Sequence, residues 1–83
     1  MQVRLEFTTE PFHGEDDHLP AHVVAAAEAL TSAGLAPDLG PLGTSVSGDS
    51  RVVVGALAQA VQAALESGAT RITLQVEGVG TDA

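Results

Sequence analysis

No cysteine occurs in this chain, which removes disulfides, thiolate nucleophiles, thiolate-bound zinc and iron–sulfur clusters together. Lysine, asparagine, tyrosine and tryptophan are missing too, and two phenylalanines supply all the aromatic surface. Three arginines against eleven acids give a formal charge of −8. Nucleic-acid binding draws most of its affinity from cationic contacts with phosphate, so that class is excluded. The same balance disfavours anionic membranes and suits a cationic ligand. No apolar run approaches the roughly 20 residues of a membrane span, and no signal-peptide pattern opens the chain. The expectation is a soluble, cytoplasmic protein. Missing lysine beside abundant alanine hints at a GC-rich bacterial genome.

What is present is small and apolar. Hydrophobic residues fill 45% of the 83 positions, much of it alanine. That is chain enough for one domain, residues 1–83, with a thin core and marginal stability. Self-association would add burial.

Taken in order, Val3, Leu5 and Phe7 alternate with Arg4, Glu6 and Thr8, the period of a half-buried strand. Pro11 ends it. The acidic segment 12–18 precedes a helical pattern over residues 19–33, with Leu19, Val23, Ala26, Ala27 and Leu30 as its apolar stripe. Asp16 or Asp17 is placed to cap that helix, with Pro20 in its first turn and Gly34 at its end. A short edge strand over 36–39, a turn at 41–43 and a strand over 44–47 follow, Val46 pointing inward. Asp49 or Ser50 caps a second helix over 51–67, whose stripe reads Val54, Leu57, Ala58, Val61, Ala64 and Leu65. Gly68 repeats the glycine stop. Residues 71–77 alternate again, Ile72, Leu74 and Val76 inward, and residues 78–83 form a loose tail.

The order β-α-β-β-α-β, with right-handed crossovers, predicts an α+β ferredoxin-like sandwich. Its four-stranded antiparallel sheet has the order 4-1-3-2, and both helices lie on one face. The other face carries Arg4, Glu6, Thr8, Ser45, Ser47, Arg71, Thr73, Gln75 and Glu77. Missing residues then close several functions that this fold hosts. RNA-recognition modules need aromatic side chains on the central strands, metal carriers need a cysteine pair, and an acylphosphatase needs an asparagine. His13, His18 and His22 read as polar groups around a solvated helix start; their spacing is weak evidence for a metal. Glu6 and Glu77 read as partners in cross-strand ion pairs rather than as an acid–base couple. No nucleophile motif surrounds Ser45, Ser47 or Ser50. The expectation is no enzyme and no cofactor.

Residues 40–49 pack three glycines, a proline, three hydroxyls and an acid into ten positions. A hairpin turn and a helix cap explain the glycines, the proline and the acid. Thr44, Ser45 and Ser47 remain as neutral donors and acceptors on a central strand.

Five features together resemble the thiamine-binding protein family (YkoF-like domains). They are the first strand ending in Glu6-Phe7 before Pro11, Ala33-Gly34-Leu35, Pro41-Leu42-Gly43-Thr44, Gly48-Asp49, and Gly68-Ala69-Thr70-Arg71. The resemblance spans about residues 2–77 and implies a ferredoxin-like domain assembling into dimers or tetramers. It also implies binding of thiamine or its hydroxymethylpyrimidine moiety without turnover. Thr44, Asp49 and Arg71 match the shared motif. A permanently cationic ligand suits the charge of −8. An aminopyrimidine needs neutral hydrogen-bonding groups plus a carboxylate, supplied by Thr44, Ser45, Ser47 and Glu6. With so few aromatics, its ring would rest on aliphatic groups, on Phe7 or Phe12, or on an arginine plane. The alternative is a regulatory or scaffold module whose main role is assembly, with another ligand or none.

Overall fold

The computed structural model describes residues 1–11, 19–40 and 43–80. Six elements follow in order: β1 (Gln2–Glu10), α1 (Ala21–Ser32), β2 (Asp38–Leu39), β3 (Thr44–Asp49), α2 (Ser50–Glu66) and β4 (Arg71–Gly80). The sheet order is β2-β3-β1-β4, the expected arrangement read from the other edge, and every pairing is antiparallel.

Alternation along β1 buries Val3, Leu5, Phe7 and Thr9 and exposes the residues between them. The buried set meets Val46 of β3, Ala26 and Leu30 of α1, and Val53, Ala56, Ala60 and Ala64 of α2. Both helices therefore cover one face, and the opposite face stays open.

Both helices stop in the same way. Gly34 and Gly68 take φ values of +86° and +106°, a region that side chains disfavour. The following amides, of Leu35 and Ala69, bond back to Leu30 and Ala64 at 3.1 and 2.9 Å. This is a Schellman closure at each end.

Four details differ from the sequence expectation. First, α1 begins at Ala21 with Pro20 as its N-cap, so Leu19 lies outside the helix and is exposed. The expected caps Asp16 and Asp17 lie outside the described residues, as does most of the turn expected at 41–43. Second, α2 is rotated. Val53, Ala56, Ala60 and Ala64 are its buried side, while Val54, Ala58 and Leu65 of the expected stripe are exposed. Apolar residues occur nearly all round this helix, so periodicity did not single out a face. Packing selects the alanines because small side chains let the helix lie close to the sheet. Third, β4 continues to Gly80 instead of dissolving at 78. Gly78 and Gly80 pair with Val3 and Gln2 across a bulge, so strand pairing overrides the low β-propensity of glycine. Fourth, β2 shortens to two residues and β3 lengthens to Asp49, which lies opposite Gln2.

Candidate functional site

The open face is built by side-chain parity. Direct partners in an antiparallel pair share a face. Glu6 of β1 lies opposite Ser45 of β3 and Gln75 of β4, giving a polar row across three strands. Arg4, opposite Ser47 and Glu77, makes the next row, and Thr8 faces Thr73 on the other side. A depression of about 430 Å³ lies over these rows, with Arg4, Glu6, Thr8, Ser45, Thr73 and Gln75 supplying its polar groups. Gly40 and Gly43, at the β2–β3 hairpin, form its rim. A side chain at Gly43 would be crowded. A Cβ at this position would stand 3.0 Å from the Phe7 carbonyl oxygen and 3.1 Å from the Thr8 methyl.

The charges are balanced and wet. Arg4 Nη2 lies 2.9 Å from Glu6 Oε1, and both side chains are half exposed. Such a surface pair contributes at most about 1 kcal/mol, so a ligand can displace Arg4 from Glu6 at little cost. Around this pair stand two threonines, a serine and a glutamine, which donate or accept as a ligand demands. The chemistry on offer is recognition of a polar, cationic or zwitterionic group.

The six residues singled out from the sequence divide by position. Glu6, Thr44 and Ser45 border the depression. Thr44 does so from the far side of its strand: it lies opposite Phe7, and its side chain is buried with the helices. It also borders a smaller cavity of about 200 Å³ on the helix side, with Leu19, Val23 and Leu39. Ser47 stands on the open face one row further along, beside Arg4. Asp49 caps α2, accepting from the Arg51 amide at 3.1 Å. Arg71 opens β4, opposite Glu10 and one row beyond Thr8 and Thr73, with 4.0 Å between its charged group and that of Glu10. Thr8, Thr73 and Gln75 belong to the depression and were not singled out. Their parity with Glu6 was the signal that could have found them.

Two aromatic and imidazole readings change. Phe7 presents its ring to the helix side, so it offers no stacking plane on the open face; Phe12 lies outside the described residues. His22 is not solvated. It is buried on the inner face of α1, its Nδ1 2.6 Å from Thr9 Oγ1 and its Nε2 2.9 Å from the Pro11 carbonyl oxygen. A carbonyl only accepts, so Nε2 is the donor in that bond. Both ring nitrogens are thus occupied in fastening α1 to the end of β1. His13 and His18 lie outside the described residues. Among the described residues no group of three or more histidine, aspartate or glutamate side chains is placed to hold a metal ion. Nor is any described helix long and apolar enough to cross a membrane.

Comparison with known proteins places these observations beside a family and three solved structures. The sequence pattern of the family described as "Thiamine-binding protein" matches residues 5–77. A Thermotoga maritima protein, assigned a candidate role in thiamine biosynthesis or salvage, superposes with a TM-score of 0.65 at 25% identity, over 94% of this chain and 84% of its own. A hypothetical protein from Methanocaldococcus jannaschii has the same fold at a TM-score of 0.69 and 20% identity, over 99% of this chain and 84% of its own. A domain of unknown function from Bacillus cereus gives 0.64 at 22% identity, over 92% of this chain and 72% of its own. No curated protein sequence matches this chain.

Proposed function

We propose that this chain, which belongs to the thiamine-binding protein family, is a non-catalytic receptor for thiamine or its hydroxymethylpyrimidine moiety. The observation that carries the reading is the depression on the open sheet face, where one carboxylate stands among neutral hydrogen-bonding groups. In this reading Glu6 pairs with the amino group or the cationic ring. Ser45, Gln75, Thr8 and Thr73 read the pyrimidine nitrogens, and the Arg4 guanidinium offers a flat cationic surface. Ser47 lies within one row of that position. Asp49 and Arg71 act on the fold, as helix cap and as strand-end partner, rather than on the ligand.

The similarity to a thiamine salvage candidate supports the ligand class, and the charge of −8 favours a cation. The protein works in this proposal as a homo-oligomer in the cytoplasm. Calorimetric titration with thiamine and with hydroxymethylpyrimidine tests the binding, and no heat at millimolar ligand would sink it. A second reading, assembly as the main role, is favoured by the exposed apolar residues on the outer edge of the molecule, among them Leu74 and Val76 of β4. A stable oligomer that takes up neither compound would make that the better account.

A further inference from the structure

The smaller cavity opens on the helix side of the β2–β3 hairpin. Its apolar walls come from three elements: Phe7 of β1, Val23 of α1 with Leu19 just before that helix, and Leu39 of β2. Leu19 and Leu39 stand at its mouth, 54% and 40% exposed. The space is about 200 Å³, and an apolar cavity of roughly 150 Å³ already admits benzene. It holds one six-membered ring with a small substituent and is too small for two linked rings. A ring seated there would restore contacts that the lining atoms otherwise lack, in a core with few large side chains.

The polar groups on the border select among rings. Thr9 is one of them, but its hydroxyl is spent on His22 Nδ1 at 2.6 Å. Among the described residues Glu10 is the one charged neighbour, and its carboxylate lies 4.0 Å from the Arg71 guanidinium. Thr8 and Glu10 alternate with the buried residues of β1, so their side chains belong to the open face. Thr44 differs. It is 5% exposed, and among the described residues no partner bonds its hydroxyl. Nor is any described side-chain oxygen or nitrogen shut in without a partner. The Thr44 hydroxyl therefore still reaches open space, and on its side of the strand that space is the cavity. A hydroxyl takes either role in a hydrogen bond, and nothing here offsets a buried charge. An uncharged ring with one donor or acceptor is the chemistry that fits.

We propose that the helix-side cavity is a second ligand site, for a single neutral six-membered ring carrying one hydrogen-bonding atom, with Thr44 as its anchor. The two cavities share residues at the hairpin but open on opposite faces of the sheet, so both can be filled at once. The second site does not depend on what binds at the first.

Fluorine NMR of the full chain with para-fluorophenol tests it, the ligand signal broadening as the ring is taken up. The expected dissociation constant is on the order of 1 mM, the scale for so small a ligand. Fluorobenzene, which lacks the hydroxyl, should bind roughly tenfold more weakly. Para-fluorobenzoate should not bind, because its charge would be buried unpaired. Thr44→Val keeps the shape and should bring para-fluorophenol down to the level of fluorobenzene. Val23→Phe puts a ring in the space and should abolish uptake of both, with circular dichroism and the thiamine titration unchanged. No broadening at roughly ten times the expected constant overturns the proposal. Equal weakening of both probes in Thr44→Val does the same, since that is what a merely structural role would give. Displacement of para-fluorophenol by saturating thiamine overturns the separate site. Calorimetry with thiamine alone reports on the open-face reading.

Discussion

Among the described residues Glu6 carries the one carboxylate of the depression and Arg4 its one cation, so their 2.9 Å contact is the bond a cationic ligand must exchange for its own. Glu6→Gln keeps the shape and removes the charge. It should lower thiamine affinity by roughly tenfold or more, the scale of a charge-assisted hydrogen bond, while leaving urea unfolding unchanged. His22 belongs to a different account. Replacing it with alanine removes two hydrogen bonds and leaves the buried Thr9 hydroxyl unpaired. The expected cost is about 2–4 kcal/mol in the urea midpoint analysis. Alternation along β1 was enough to place Glu6 on the open face and Leu5 in the core. It could not place His22, because a helix stripe read by hydrophobicity passes over a histidine whose polar atoms are satisfied inside. The polar companions Thr8, Thr73 and Gln75 were legible on the same parity, but threonine and glutamine carry no motif that marks a site.

Elements were readable where one face is covered and the other is not. Strands β1 and β3 alternate cleanly for that reason, and the glycine stops of both helices are local signals of a local geometry. The cap of α2 is equally local: Asp49→Ala should cost about 1 kcal/mol, measured as a shift in unfolding midpoint without loss of thiamine binding. Gly34→Ala, at φ +86°, should cost about 1–2 kcal/mol through backbone strain. The face of α2 was not readable, because alanine and valine occur on several of its sides and only the closeness of the sheet chooses among them. The end of β4 was hidden for a related reason. Glycines 78 and 80 have no strand preference of their own and are held by pairing with residues far away in sequence.

At the scale of the molecule, right-handed connections were sufficient to derive the sheet order, since few topologies satisfy them. That the outer flank of α2 stays exposed was not written in the periodicity, because apolar residues occur on several sides of that helix. A charge of −8 makes one further prediction for the whole protein. The association rate of thiamine should fall as salt rises and the screening length shrinks, which stopped-flow measurement in low and high salt would reveal. The sheet order β2-β3-β1-β4 has a last consequence. The first half of the chain supplies one inner strand and one edge strand, and so does the second half, with the inner strands side by side. Neither half owns a core. Cut at the β2–β3 hairpin, each fragment would be left with two strands that are not neighbours and a helix with little to rest on. The two should be unfolded apart and should recover structure only when mixed, so the chain behaves as two interlocking pieces, each of which is the template for the other.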